Sequence, residues 1–458
     1  VKGLKVRLRA VVRGRSQQTM NLHTLLFAIL TPIFEYIALN PQILLWSTIC
    51  LTGLRYGSLA AVISVWTGWL AYVTSMPRKE GALPRYKGRL DVLLGRTFRA
   101  SKLDSKFLAN NNVSLVSFEN KMVIAYRSAE THFASPSARI TVAISTNLED
   151  WEDVWQYSTG EDDLREVLLW EFSGRLFLYF CRLVPDKRGF SAKGMSWTST
   201  SDLKQWTDPV AIGRESEITW DIKLHEGVAY KVGYHGNHYG DNCSLAVVFE
   251  CSENGETWKP VGKDATVYVG GISEVSFAFT ANGDLVAIGR NEDGDHTGFG
   301  SQLFWAPKTD LGSWTPLKVS LPYRFDSPRM VVMSGEVVLF ARYSADPYNF
   351  VPEWMPFIIQ NIGNLIAYSS RPKSAAVYKV AIPEDGEGSW PTEPIRLIRR
   401  FEDCFGDTGF FSVAKMCDNS GHWAVANYAS PVHSHATWFY GQVYATNVYV
   451  CRCVPILL

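Results

Sequence analysis

Four seven-residue segments, each ending in Trp, recur along this chain at nearly even spacing, and that spacing limits what the chain can fold into. Ser145–Trp151 reads STNLEDW, Thr200–Trp206 TSDLKQW, Ser252–Trp258 SENGETW and Lys308–Trp314 KTDLGSW. Each places Asn or Asp third and Trp seventh, and the starts lie 55, 52 and 56 residues apart. EDGEGSW at Glu384–Trp390 is a degraded fifth copy. A repeat of this length marks a series of like units that bury their apolar faces on one another, as propeller blades do.

A second series runs in step with the first. Turn residues precede an apolar strand that ends at Arg127, Arg182, His235, Arg290, Arg342 and Tyr428. The intervals are 55, 53, 55 and 52 residues, then 86. The long step predicts an insertion, placed at Tyr348–Pro372. The strands are rich in Val, Ile, Phe and Tyr and bounded by Asn-Gly or Ser-Gly turns. No long helical period runs through this part, so the fold class is all-β. In the seven-residue motif, Asn or Asp and the Ser or Thr hydroxyl bond nearby backbone amides, and the Trp staples the turn to a sheet.

Charge divides the chain. The 458 residues have a formal net charge of zero, but residues 1–19 carry +6, residues 20–76 carry 0 and residues 77–106 carry +6. The remainder therefore sums to −12. An acidic body argues against nucleic acid as its partner. Leu22–Leu39 and Ile43–Val73 are apolar stretches that predict an N-terminal helical, transmembrane segment. Basic clusters flank them on both sides, so the orientation stays open. Met20, just before the apolar block, is an alternative start. The expected division is residues 1–76 as basic tail and membrane helices, 77–102 as basic linker, and 103–458 as the β-rich body. The protein is accordingly expected to be membrane-associated through its N-terminal helices.

Cys243 and Cys251 are placed to bridge a hairpin, and Cys451 and Cys453 sit near the end. Asn112-Val-Ser114 and Asn242-Cys-Ser244 match the glycosylation pattern. His433 and His435 lie close together, and Glu292, Asp293 and Asp295 could hold Ca²⁺. Neither outweighs the bland reading, so no metal and no cofactor is expected. Glycine-rich phosphate loops and dinucleotide fingerprints are absent from the sequence.

The repeats resemble the Asp-boxes of the sialidase (neuraminidase) superfamily, over roughly residues 103–450. Tyr126–His132 (YRSAETH) resembles the first-blade Arg segment of its bacterial members, and Asp163–Glu166 (DLRE) their second-blade stretch. Ser273–Val275 (SEV) with Arg290 resembles their fourth-blade Glu and Arg, and Gly406–Phe410 (GDTGF) a sixth-blade segment. The resemblance implies a six-bladed β-propeller and an exo-glycoside hydrolase acting on terminal sugars of glycans. It further implies that Arg127, Arg290 and Arg342 clamp a substrate carboxylate and that Glu274 is a base.

The residues alone place carboxylates at the starts of the channel-lining strands: Asp163, Asp221, Glu274, Asp326 and Asp407. Arg165 and Arg329 join the clamp arginines near the same ring. Arg grips carboxylates bidentately, so an anionic or polyhydroxylated ligand is expected. Arg165 and Asp407 are counted with the clamp as substrate-binding. Glu130, His132 and Asp163 are each candidates for the acid. Phe410 stands where the resemblance expects a Tyr nucleophile, with Tyr343, Tyr428 and Tyr440 as other sources of a hydroxyl. Without that Tyr, two carboxylates can still run an inverting hydrolysis. The alternative is a non-catalytic glycan-binding or scaffolding propeller at a membrane.

Overall fold

The computed structural model describes residues 89–93, 97–98 and 107–456, apart from residues 187–188, 237, 239–243, 318–320, 322, 345–353, 384–389, 419, 431, 433–435 and 444. Both apolar stretches read as membrane helices, and His433, His435, Asn242 and Cys243, lie outside the described residues. Among the described residues no helix is long and apolar enough to cross a membrane. Residues 79–364 and 372–458 form one compact unit, and residues 1–78 with 365–371 another. The larger unit holds every β-strand of the described residues.

That larger unit is mostly β, in a propeller arrangement of antiparallel sheets. The first sheet runs through Ala109–Phe118, Lys121–Ala129, Arg139–Ser145 and Glu152–Tyr157. The second runs through Asp163–Phe172, Arg175–Asp186, Gly189–Thr200 and Val210–Ile212. The third uses Ile218–His225, Val228–His235, Leu245–Ser252 and Lys259–Pro260, with Thr266–Gly270 added. The fourth uses Ile272–Phe279, Leu285–Asn291, Ser301–Ala306 and Thr315–Pro316. An eight-stranded sheet holds the rest, from Arg329–Met333 and Glu336–Tyr343 to Asn447–Ile456.

All six segments of the second repeat series are strands next to an innermost one. The four Trp motifs join third to fourth strands. The insertion expected at Tyr348–Pro372 contains a helix, Phe357–Ser369, between Glu336–Tyr343 and Ser374–Val380. The stretch read as a linker departs from expectation. Arg89–Leu93 pairs with Arg452–Ile456, so a segment N-terminal to the first sheet closes the edge of the last.

Neighbouring sheets bury shared apolar layers, the dominant stabilisation here. Ile140 and Val142 meet Leu164 and Leu178. Trp170 and Phe177 meet Ala229. Phe249 meets Phe277 and Phe304, and Ile288 and Leu303 meet Leu339 and Tyr378. Val113 and Tyr126 of the first sheet pack on Ala426, Tyr428 and Val448 of the eight-stranded one, which closes the circle.

The motif turns act as the sequence predicts. Asn254 Oδ1 accepts the amides of Glu256 and Thr257, both at 2.9 Å, and Ser252 Oγ accepts that of Gly255 at 2.8 Å. Asn147 and Asp202 repeat the pattern. Each Trp then reaches the preceding sheet: Trp206 stacks on Trp155, Trp258 contacts Trp170 and Tyr179, and Trp314 contacts Phe249. Asn254→Ala is expected to cost about 1 kcal/mol, because two amides lose their acceptor at an exposed turn. Urea denaturation measures it.

Asn112-Val-Ser114 is not a glycan acceptor in the folded chain, because Asn112 is buried on an innermost strand. Cys251, Cys451 and Cys453 are free thiols.

Candidate active site

The innermost strands surround a channel. At one level they enclose a cavity of about 650 Å³ lined by Ser114–Ser117, Leu168–Glu171, Asp221–Leu224, Val331 and Ser412–Met416. Toward their N-terminal ends the same strands slip register, between Asn111 and Ser114, Arg165 and Leu168, Thr219 and Asp221, Ile272 and Val275, and Gly409 and Ser412. Asn112, Glu166 and Phe410 sit in these bulges with φ of 51°, 54° and 50°, and Ser327 matches them at 48°. Bulges re-aim side chains beside functional sites. Here Glu166, Trp220, Ser327 and Phe410 line a narrow throat.

One side of the mouth beyond the throat comes from the first two sheets and the last strands. Arg127 is 0% exposed, and its donors are occupied. It forms two bonds to Asp163 and further bonds to Thr131 O at 3.2 Å and Phe133 O at 3.0 Å. Arg165 Nε donates to Asp163 Oδ1 at 2.7 Å, and its side chain is 16% exposed. Burial alone would raise the Asp163 pKa, but Arg165 and Arg127 hold it well below the usual carboxylate range. Asp163 therefore has no proton to give near neutral pH.

His132 Nδ1 lies 2.5 Å from Asp407 Oδ2, and the Tyr428 hydroxyl donates to Asp407 Oδ1 at 3.0 Å. Burial lowers the imidazole pKa despite the Asp407 charge, with Arg165 and Arg127 adding to the effect. A neutral ring donating Nδ1–H to Asp407 leaves Nε2 as an acceptor, the arrangement of an oriented base. Burial beside Asp407 pushes the Tyr428 pKa well above its ordinary value, so this hydroxyl stays protonated.

The other side is an ion-pair network. Arg290 Nη2 contacts Glu274 Oε1 at 3.2 Å and also pairs with Glu292. Arg324 Nε meets Asp326 Oδ1 at 2.6 Å, and Arg342 Nη1 lies 3.7 Å from Asp326 Oδ2. Arg342 Nε donates to Thr408 O at 2.6 Å, which ties this side to Asp407. Glu274 Oε2 accepts the Ser327 amide at 2.7 Å, so both its oxygens act as acceptors. Gly409 (φ +152°) lies so close that a Cβ there would come within 2.9 Å of Ser327 Oγ and 3.1 Å of Arg342 Nη2.

Glu166 Oε2 is buried without a hydrogen-bond partner, and among the described residues Glu166 forms no ion pair. Burial pushes its pKa up to about 8, opposed by Arg165 and reinforced by the charge of Glu274. Burial also raises the Glu274 pKa, opposed first by Arg290, but unlike Glu166 its two oxygens have partners, Arg290 and the Ser327 amide.

The structure brings Arg127, His132, Asp163, Arg165, Glu274, Arg290, Arg342 and Asp407 to one end of the channel. Glu130 is exposed and makes no hydrogen bond or ion pair among the described residues. Phe410 packs on Trp220 and Tyr428, with ring centroids 5.0 and 5.9 Å away, so it walls the throat. Glu166 and Arg324 were not singled out from the sequence, and Glu292 was read only as a Ca²⁺ ligand. Glu166 ends the DLRE stretch, but the bulge that turns it inward has no glycine to signal it. The suggested Ca²⁺ loop is otherwise engaged. Glu292 and Asp293 contact His238, whose pKa they push up to about 9 against burial, and Asp295 binds Tyr268, Thr297 and Gly271. Among the described residues no group of three or more His, Cys, Asp or Glu is arranged to hold a metal ion.

No protein family profile matches the chain, and no curated protein matches it. Among solved structures, a Trypanosoma rangeli sialidase is 11% identical with a TM-score of 0.49, over 81% of this chain and 58% of that one. A Penicillium chrysogenum alpha-L-arabinanase complexed with arabinobiose is 11% identical with a TM-score of 0.46, over 79% of this chain and 98% of that one. A Bombyx mori GH32 beta-fructofuranosidase is 10% identical with a TM-score of 0.40, over 83% of this chain and 65% of that one. The chain thus spans 58% of the length of that sialidase.

Proposed function

We propose that this protein is a six-bladed propeller of the sialidase-like type and an exo-acting glycoside hydrolase that removes a terminal sugar from glycans. Support for six blades comes from the long strand Ile395–Lys415. Its first half pairs with Ser374–Val380 and its second with Trp423–Ser430, so the eight-stranded sheet divides into two four-stranded units. Between them lies an apolar layer of Phe340, Val377, Phe411 and Val425, of the same kind as those between the other sheets. The motif turns, with their Asn or Asp acceptors and stapling Trp, agree with Asp-boxes.

The observation that carries the activity is Glu166 lining the throat, close enough to Glu274 for its charge to act on Glu166. Glu166, protonated up to about pH 8, gives its proton to the leaving glycosidic oxygen. Glu274 takes a proton from the water that attacks the anomeric carbon, so the sugar leaves with inverted configuration. His132, oriented by Asp407, accepts a hydrogen bond from a sugar hydroxyl. Arg127 positions Asp163 and Arg165 and does not itself touch the ligand. Glu274→Gln is expected to lower kcat by roughly 10²–10⁴-fold with a smaller change in KM. A panel of chromogenic glycosides and reducing-end-labelled glycans measures this; an unchanged kcat removes Glu274 from the chemistry.

Phe410 favours a second reading, a non-catalytic glycan-binding propeller. Its ring offers no nucleophile and, packed on the buried Trp220, gives the throat an apolar wall. That reading expects saturable glycan binding with no product over days. A membrane anchor through residues 22–73 would place either activity at a bilayer, which fractionation of the full chain tests.

A further inference from the structure

We propose that the mouth takes an uncharged terminal sugar and excludes an anionic one, its hydroxyls meeting Ser327 and Glu166 at the throat. The inference rests on the hydrolase reading for its site and goes beyond it in naming the ligand class.

The first support is charge balance. A carboxylate ligand needs a guanidinium with donors to spare. Arg127 is fully buried on Asp163. Arg290 is held by Glu274 and Glu292, and Arg324 and Arg342 share Asp326. Arg165, the most exposed of the set, already shares Asp163. Each arginine thus faces a carboxylate, and Asp407 faces two neutral groups, His132 and Tyr428. Arg127, Arg165, Arg290, Arg324 and Arg342 balance Asp163, Glu274, Glu292, Asp326 and Asp407, so an incoming anion would add net negative charge to a poorly solvated site.

The second support is independent of charge. Ser327 is 1% exposed, lines the throat, and its Oγ has no hydrogen-bond partner. Glu166 Oε2 lines the same throat and is likewise unpartnered. Thr219, which also lines the throat, leaves its Oγ1 unbonded. Buried polar groups left unpaired cost about 1–3 kcal/mol each, so such a set is normally completed by a partner. The set mixes donors and acceptors, and sugar hydroxyls, which both donate and accept, complete it.

The third support is the chemistry. A carboxylate pair acts on a neutral sugar without repelling it, whereas an anionic sugar disfavours an anionic nucleophile or base close to its own carboxylate. Phe410 replaces the neutral hydroxyl that would avoid this conflict.

Ligand-observed NMR on the intact protein, with neutral methyl hexosides and pentosides set against methyl sialoside, tests the proposal alongside turnover of the matching aryl glycosides. At least one neutral glycoside is expected to bind, with affinity little changed between about 50 and 500 mM salt, where exposed charge pairs are screened. Ser327→Ala should weaken it roughly 5-fold or more, the loss of one buried hydrogen bond. Glu292→Gln, which uncovers Arg290 and Arg324, should create sialoside binding absent from the parent. Binding or cleavage of sialoside by the parent overturns the neutral assignment and leaves the hydrolase reading standing. Neutral binding without turnover sinks the hydrolase reading and supports this inference. Binding of no sugar overturns both.

Discussion

Glu166→Gln is expected to make the protein more stable at neutral pH and nearly inactive. The ordinary carboxyl pKa is 4.5, and in the fold burial raises that of Glu166 to about 8. Between those values the folded chain holds a proton that the unfolded chain has released. Stability is therefore fully present below about pH 4.5, declines as pH rises, and levels off above about 8. At pH 7 the burial cost is on the order of 1–3 kcal/mol. Gln has the shape and neutrality of the protonated side chain, so the variant recovers that cost and loses the pH dependence. Its kcat should fall by roughly 10²–10⁴-fold, because the leaving oxygen has no acid. Stability obtained at the expense of activity is the pattern of a strained functional site. Thermal melts of both proteins from pH 5 to 9 measure the effect, and parallel curves would show that Glu166 titrates normally.

Asp163→Asn is expected to destabilise the protein by about 3–5 kcal/mol, the cost of leaving a buried charge unpaired. Arg127 has no exposure and donates two of its bonds to Asp163. The amide of Ser135 also loses its acceptor, at 2.8 Å. The native carboxylate contributes stability above the ordinary carboxyl pKa, and that contribution is lost only as pH falls well below it. A double variant, Asp163→Asn with Arg127→Met, should regain much of the loss, because no isolated charge remains. Chemical denaturation of the two singles and the double measures the coupling. A single variant that loses less than about 1 kcal/mol would mean that water reaches Arg127.

The sequence made the blades legible but only part of the mouth. Each blade repeats a turn and a strand, so Arg127, Arg182, His235, Arg290 and Arg342 could be placed by period alone, and Tyr428 once an insertion was allowed for. The Trp motifs were legible because their hydrogen bonds are local, between residues two or three apart. The throat was not. Asn112, Glu166 and Phe410 sit at positive φ in bulges, and Ser327 sits at positive φ ahead of Arg329–Met333, a conformation for which glycine is the usual marker. The closed state of the arginines was also hidden. Arg127 meets Asp163 across 36 residues and Arg342 meets Thr408 across 66, and periodicity says nothing of whether a guanidinium is compensated. Arg89–Leu93 read as linker because five residues in a basic stretch show no alternation strong enough to announce an edge strand.

The pH dependence of kcat/KM on the best aryl glycoside, for the parent and for Glu166→Gln, tests the acid–base pair most directly. The parent rate should fall as pH rises through about 8, where Glu166 loses its proton, and the small residual rate of the variant should lack that limb. A parent rate that climbs through pH 8, or a variant as active as the parent, would contradict the assignment of Glu166 as the acid.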